Sequence, residues 1–144
     1  TEATCGALEA GGSVIAVLPW LRPIYPPENG RLARDVKRRG ILLCEKVEKP
    51  RGRLVRRQIY LRNRIISGLS KAVIVIETGR TGGSFYQVEY ALKKGKDVFI
   101  LRPDEAHEDL VEGYRRFVRE GAKPINDIND LPGVIGQILS ESSK

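Results

Sequence analysis

Short apolar runs alternate along this chain with longer segments in which apolar residues recur every three or four positions. The runs that predict strands are 13–18, Ile41–Cys44, 72–76, 98–101 and Lys123–Ile125. The segments that predict helices are 28–39, 62–69, 84–94, 109–119 and 131–139. This alternation predicts an α/β, Rossmann-like fold, in which a mostly parallel sheet of about four to five strands is flanked by helices on both faces.

The length of 144 residues, with 41% hydrophobic residues, is enough for one core. We therefore expect residues 1–144 to form a single domain. No run approaches the ~20 apolar residues of a membrane helix, so a soluble, cytoplasmic protein without a membrane partner is expected. The chain starts at Thr1 and contains no Met, which indicates a processed or truncated product.

Positive charge is concentrated in one part of the sequence. The net charge is +7, but residues 31–64 alone contain thirteen Lys and Arg against three acidic residues. A basic segment of this kind favours a polyanionic partner, although a solvated, arginine-rich face is the alternative. The two cysteines, Cys5 and Cys44, have no His or Cys cluster near them. We expect both cysteines to be buried and to pack as small hydrophobic side chains. No metal or cofactor is expected.

The loop after the first predicted strand, residues 19–29, contains four prolines and the aromatic residues Trp20 and Tyr25. Ligands of parallel sheets bind outside the carboxyl ends of the strands, where this loop lies. Aromatic faces at such a position can stack on nucleobases. The alternative is that both rings cover the edge of the sheet.

A glycine-rich turn, residues 79–83, follows the most apolar predicted strand and leads into a helix. Glycines allow close approach of a ligand, and the amides of a helix N-terminus bind phosphate. The candidate phosphate contacts in this turn are Thr81, Gly82, Gly83 and Ser84. Neither GxGxxG nor the P-loop pattern is present, and a helix N-cap with a tight turn is the structural alternative.

Two arginines and an amide, Arg62, Asn63 and Arg64, are predicted to lie at the start of a short helix. Arginine is always charged and binds phosphate through two donors, so this cluster suits a phosphate ligand. A helix with solvated arginines is the alternative.

Several segments together resemble the DprA/Smf DNA-processing family. They are GALEAGG at 6–12, IYPPEN at 24–29, RNRIISGLS at 62–70, GKDVF at 95–99 and GAKPI at 121–125. The resemblance covers roughly residues 1–130, and the combination of RNRIISGLS with YPPEN is its most specific part. The resemblance implies that the chain begins inside the helix that follows the family's first phosphate loop, and we therefore expect it to be N-terminally truncated relative to the family.

The resemblance implies a Rossmann-like domain that binds single-stranded DNA, forms a homodimer and helps to load a RecA-type recombinase in natural transformation. It also implies that the protein is not an enzyme. The family's phosphate and nucleotide contacts would fall on Arg62, Asn63, Arg64, Ser67 and Gly68, with the turn at Gly82 to Ser84 alongside.

A weaker similarity links the glycine turn to the phosphoribohydrolases of the LOG family, which act on nucleoside 5′-monophosphates. In that alternative, Glu89 and Arg80 would be catalytic, because a carboxylate stabilises a developing oxocarbenium ion. A nucleotide-binding protein without catalysis is a related alternative. The structural explanation of Glu89 is an ion pair with Lys93, one helical turn further on.

Overall fold

The structure is a computed structural model that describes residues 1–140, so the last four residues of the predicted domain lie outside the described part. Its helices are α1 Glu2–Glu9, α2 Gly30–Arg39, α3 Leu54–Leu69, α4 Gly83–Lys93, α5 Glu108–Arg119 and α6 Leu131–Ser140. Its strands are β1 Ile15–Leu18, β2 Ile41–Cys44, β3 Ala72–Val75, β4 Asp97–Leu101 and β5 Lys123–Ile125.

All strand pairs in the described chain are parallel. β1 pairs with β2, and β3, β4 and β5 form a second sheet in that order. Each parallel neighbour is reached through a helix, as parallel connections require. The predicted α/β class with parallel strands is therefore confirmed, although the five strands form two sheets where one was predicted. β2 and β5 have the predicted bounds.

The chain divides into two compact units, here called unit 1 (residues 1–65) and unit 2 (from residue 66 onward). Unit 1 contains the β1–β2 pair, and unit 2 contains the three-stranded sheet. Helix α3 runs across the boundary. That the whole chain forms a single domain stays a prediction.

The core of unit 2 forms between its sheet and helices α4 and α5. The strands contribute Val73, Val75, Val98 and Ile100, and the helices contribute Phe85, Val88, Ala91 and Phe117. The rings of Phe85 and Phe117 lie 5.1 Å apart in a tilted arrangement. β3 and β4 are apolar along most of their length, as expected of parallel strands that helices cover.

Helix α5 packs very closely on the turn after β3 at Gly113. A Cβ atom at this position would lie 2.3 Å from the carbonyl oxygen of Thr78. We expect Gly113→Ala to lower the free energy of unfolding by about 1–3 kcal/mol, since the backbone must move to relieve the overlap. The matched control is Gly136→Ala in α6, where a Cβ meets nothing within 4 Å. This change should stabilise the helix by up to about 1 kcal/mol, and urea denaturation measures both.

The prediction for α3 is wrong at its N-terminal end. The predicted helix begins at residue 62, but α3 begins at Leu54. The inward positions of its first turns include Gln58, which is buried although it is polar. Because a polar residue takes an inward position and arginines surround it, apolar residues do not recur every three or four positions in this part of the sequence. Arginine is nevertheless a good helix former, so the segment is helical once one face packs.

Among the helices described, none is both long enough and apolar enough to cross a membrane. Within residues 1–140, no group of three or more His, Cys, Asp or Glu side chains is arranged to hold a metal ion. Cys5 and Cys44 are free thiols that are partly rather than fully buried, so the prediction of buried cysteines holds only in part.

Candidate nucleic-acid interface

The carboxyl ends of β1 and β2 carry the first group of candidate residues, in unit 1. Leu18 and Cys44, the last residues of the two strands, are register partners. Beyond them the two following loops remain paired, because the amides of Leu21 and Arg22 donate to the Val47 carbonyl at 3.0 and 2.8 Å. The basic loop after β2 is thereby held against the loop after β1.

Arg62 reaches this edge from α3. Its Nη1 donates to the carbonyl oxygen of Val17 at 2.8 Å, and its Nε donates to Oδ1 of Asn63 at 3.3 Å. Neither bond involves Nη2, whose two hydrogens can be directed toward an anion. The guanidinium is thus oriented in advance at the end of β1, as a phosphate ligand requires.

The Arg62 guanidinium is also partly desolvated. Burial lowers its pKa from the ordinary value of arginine, and the interaction with Tyr25 opposes this shift. Arginine stays charged in proteins, so the group remains a cation. A cation from which water is partly removed attracts phosphate more strongly than one in full solvent. Electrostatics therefore favour Arg62 over the exposed arginines of the basic segment.

The neighbours of Arg62 in the sequence have different surroundings. Asn63 is 3% exposed and orients Arg62 through its side-chain oxygen. Arg64 is exposed and forms an ion pair with Glu45. Exposed ion pairs contribute little to stability, so a phosphate can replace Glu45 as the partner of Arg64 at small cost. The three residues lie in the third turn of α3, not at a helix start as predicted.

Trp20 does not present a stacking surface, which corrects the prediction for this residue. Its side chain is 0% exposed, and its ring lies 5.2 Å from that of Tyr25. The large indole is buried as part of the packing at the end of β1, so it has no free face for a base. Tyr25 is 40% exposed and remains the candidate for stacking.

The glycine turn in unit 2 carries the second group of candidates. Gly82 has φ 122°, in the region that favours glycine, and α4 begins at Gly83 without a side-chain cap. The first amides of α4 and its partial positive charge can therefore act on an anion. Thr81 and Ser84 are exposed, and the Ser84 hydroxyl donates to Oγ1 of Thr78 at 3.0 Å.

Arg80 ties this turn to α5. Its Nε lies 3.1 Å from Oδ1 of Asp109 and 2.9 Å from Oε2 of Glu112. The hydrogen bond to Asp109 and then the charge of Glu112 raise the pKa of Arg80. The turn approaches Asp109 so closely that a Cβ at Gly79 would overlap its carboxylate. Arg80 therefore anchors the turn to α5.

Ser67 and Gly68, in the last turn of α3, point to different surroundings. Ser67 is 0% exposed, and its hydroxyl donates to the carbonyl oxygen of Gln87 at 2.9 Å. That bond holds α3 to α4 and uses the hydrogen that a phosphate contact would need. Gly68 is exposed, and a Cβ there would meet nothing within 4 Å.

The structure brings Arg62, Asn63 and Tyr25 together within unit 1. It brings Thr81 to Ser84 together within unit 2, at the start of α4. That either group of residues takes part in ligand binding remains a prediction.

The surroundings of Glu89 give little support to the alternative of a LOG-type phosphoribohydrolase. The Glu89 carboxylate lies 3.6 Å from Nζ of Lys93, as the structural explanation expects, and 3.9 Å from Arg116. Arg80, its proposed catalytic partner, bonds to Asp109 and Glu112 on α5 instead. The carboxylate is thus engaged in ion pairs on the helices.

Comparison with known proteins identifies the family. The model of the family described as DNA recombination-mediator protein A matches residues 1–135. This chain belongs to that family. The resemblance of its motifs to DprA/Smf proteins is thereby confirmed, and the LOG-type alternative is not favoured.

Two curated relatives are longer than this chain. It is 34% identical to protein Smf of Synechocystis over 139 residues, which are 95% of this chain and 34% of that protein. It is 34% identical to DNA processing protein DprA of Streptococcus pneumoniae over 132 residues, which are 91% of this chain and 46% of that protein. The chain thus spans about a third to a half of these relatives.

Solved structures of family members agree with the fold. The X-ray structure of DprA from Streptococcus pneumoniae matches with a TM-score of 0.70 and 32% identity, over 91% of this chain and 46% of that one. A structure of DprA from Helicobacter pylori, described in terms of that protein's single-stranded DNA binding mode, matches with a TM-score of 0.73 and 19% identity. It covers 93% of this chain and 70% of that one, and it supports the Rossmann-like fold alone.

Proposed function

We propose that this chain binds single-stranded DNA through its phosphates and serves as a DNA-processing protein in recombination. The observation that carries the proposal is Arg62, whose guanidinium is half-buried and oriented by the Val17 carbonyl at the carboxyl end of β1. A cation held in this way needs little further ordering to bind phosphate, so little entropy is lost on binding.

The charge of unit 1 supports the same ligand. Unit 1 contains fourteen Lys and Arg against six Asp and Glu, a net charge of +8, whereas unit 2 is close to neutral. Arg64 adds a second guanidinium, whose partner Glu45 is exposed. A basic surface of this size attracts a polyanion before any specific contact forms.

The remaining candidates take supporting roles in the proposal. Tyr25 offers a partly exposed ring beside Arg62 on which a base can stack. Thr81, Gly82, Gly83 and Ser84 offer amides and hydroxyls at the start of α4. Asn63 orients Arg62, Ser67 joins the end of α3 to α4, and Gly68 leaves the helix surface open.

A homodimer, a RecA-type recombinase as partner and a cytoplasmic location complete the proposal. The dimer and the recombinase partner are implied by the family resemblance, and the cytoplasmic location is the expectation drawn from the sequence. Light scattering after size-exclusion chromatography tests the dimer, and co-sedimentation with a RecA-type filament tests the recombinase contact.

The test of the proposed function is the salt dependence of binding to a labelled oligothymidine, followed by fluorescence anisotropy. Each neutralised phosphate contributes about −0.7 to the slope of log K against log salt for a single strand. With three or more phosphates engaged, we expect a slope of about −2 or steeper. An affinity that does not change with salt, or an absence of binding at low salt, would contradict the proposal.

A further inference from the structure

The first half of α3 and the residues just before it carry positive charge with no acidic residue in the same segment. Residues 51–64 contain six arginines, and no Asp or Glu occurs from residue 49 to residue 76. Arg53 and Arg57 are exposed and have no acidic partner within residues 1–140. Their charges are therefore not neutralised by the part of the protein that the structure describes.

Arg53, Arg57 and Arg64 lie on one face of this helix. Their spacings of four and seven residues place them at nearly the same angle about the helix axis. Arg53 precedes the first residue of α3, but the Arg57 amide donates to the Arg53 carbonyl at 3.4 Å, so Arg53 keeps the helical register. We call these three residues the α3 arginine face. From Arg53 to Arg64 it extends about 16 Å along the axis.

An aromatic ring lies in the middle of the α3 arginine face. Tyr60 comes three residues after Arg57 and four before Arg64, and it is partly exposed. The guanidinium carbon of Arg56 lies 5.6 Å from the centre of the Tyr60 ring, and Arg56 Nε donates to the Tyr60 hydroxyl at 3.1 Å. Arg56 therefore holds the ring in place between the arginines of the face.

Helix stability does not explain arginines at the start of α3. The N-terminus of a helix carries a partial positive charge, so cations there are unfavourable. Arg53 and Arg57 are also one turn apart, a spacing at which like charges repel. The first turn of α3 contains no acidic residue that could compensate. An anion bound along the face would relieve both unfavourable interactions.

A chain of phosphates fits this face better than a small phosphate compound. A small anion would reach only part of the face, whereas successive phosphates of one strand can follow its whole length. Arginine binds phosphate through two parallel donors, and a tyrosine ring can stack on a base. The face ends at Arg64, whose exposed partner Glu45 a phosphate can replace. Arg64 is only two residues from Arg62, so the face continues from the candidate site already described.

We propose that the α3 arginine face extends the path of bound single-stranded nucleic acid from Arg62 toward the N-terminus of α3. Phosphates bind Arg64, Arg57 and Arg53 in turn, and a base lies on Tyr60 between them. This inference rests on the proposed function, since it names the path of the same ligand beyond Arg62.

The test compares Arg53→Gln/Arg57→Gln, the α3 variant, with Arg34→Gln/Lys37→Gln, the α2 control, in the full chain. Both pairs remove two exposed positive charges from unit 1, but Arg34 and Lys37 lie on α2. Each protein is titrated with labelled oligothymidine of about four and of about sixteen nucleotides, the range of site sizes in single-strand-binding domains. The short oligomer can occupy the site at Arg62 without reaching Arg53.

We expect the α3 variant to bind the long oligomer about tenfold more weakly than wild type. Its log–log salt slope should become shallower by about 1.4, because two phosphate contacts are lost. Its affinity for the short oligomer should stay within about twofold of wild type. The α2 control should keep the wild-type slope with both oligomers. The urea midpoint of the α3 variant should not fall, since no stabilising contact is removed.

Equal effects of the α3 variant and the α2 control on the long oligomer would overturn the inference, and a steep salt slope of the wild type would leave the proposed function standing. An equal loss with the short and the long oligomer, or a lower urea midpoint, would also overturn it. If the wild type binds neither oligomer, the proposed function fails as well. If the α3 variant loses binding to poly-glutamate but binds oligothymidine like wild type, the face belongs to an acidic protein partner instead.

Discussion

Replacing Trp20 by alanine should lower the free energy of unfolding by about 3–5 kcal/mol, the range for removing a large buried aromatic side chain. Trp20 has no exposed surface and packs against Tyr25, so the change leaves a cavity at the end of β1. Urea denaturation followed by circular dichroism measures the loss.

Trp20→Phe is the matched control. Within the described residues the indole N–H of Trp20 has no hydrogen-bond acceptor, so its removal costs no bond and most of the ring volume stays. The loss should therefore be well below that of alanine. As Trp20 is the only tryptophan, its fluorescence in the wild type should also be protected from iodide quenching. A loss under about 1 kcal/mol for alanine, together with ready quenching, would place the ring at the surface.

Replacing Arg62 by glutamine should weaken binding of single-stranded DNA by about 10- to 100-fold, because a hydrogen bond to a charged group contributes about 1.5–3 kcal/mol. Glutamine keeps a hydrogen-bonding side chain but loses the cation and the paired donors. Fluorescence anisotropy with labelled oligothymidine measures the change. Arg64→Gln should have a smaller effect, since Arg64 is solvated and already shares its charge with Glu45.

Two further variants control this result. Lys71→Gln removes one exposed charge that belongs to neither group of candidate residues, so it should leave the affinity within about twofold. Arg62→Lys keeps the charge but cannot bind in bidentate fashion, so it should fall between wild type and glutamine. Circular dichroism checks that each variant is folded. If folded Arg62→Gln binds as tightly as Lys71→Gln, Arg62 is not a phosphate contact.

The strands were the part of the fold that the sequence predicted best. β3 and β4 are apolar because helices cover them, and a continuous apolar run is visible without knowing its partners. The bounds of β2 are set by Gly40 and Glu45, which are local signals of a strand's limits. Where burial follows directly from the local pattern, sequence is sufficient.

The start of α3 and the position of Trp20 depend on contacts that sequence spacing does not contain. Nothing near Trp20 indicates that the loop after β2 joins it, yet the amide of Leu21 bonds to the carbonyls of Lys46 and Val47. A proline-rich aromatic loop is compatible with a surface platform and with a covered sheet edge. The hydrogen bonds between the loop after β1 and the loop after β2, which are far apart in the sequence, favour the covered sheet edge.

The candidate site shows the same division. The pattern of Arg62, Asn63 and Arg64 identified phosphate-binding chemistry, because it depends on residue types. The sequence pattern does not show that the two arginines have different partners. Arg62 is oriented by the Val17 carbonyl, whereas Arg64 forms an ion pair with Glu45. The donation of the Ser67 hydroxyl to Gln87 is also a tertiary contact, and it has no local signal.

The most direct test of the account combines a change in the protein with a change in the DNA backbone. Wild type and Arg62→Gln are each titrated with oligothymidine and with the same oligomer made as uncharged methylphosphonate. If Arg62 binds phosphate charge, glutamine should weaken binding to the natural oligomer about 10- to 100-fold and have almost no effect on the weak binding of the neutral one. An equal loss with both oligomers, or no loss with either, would contradict the account.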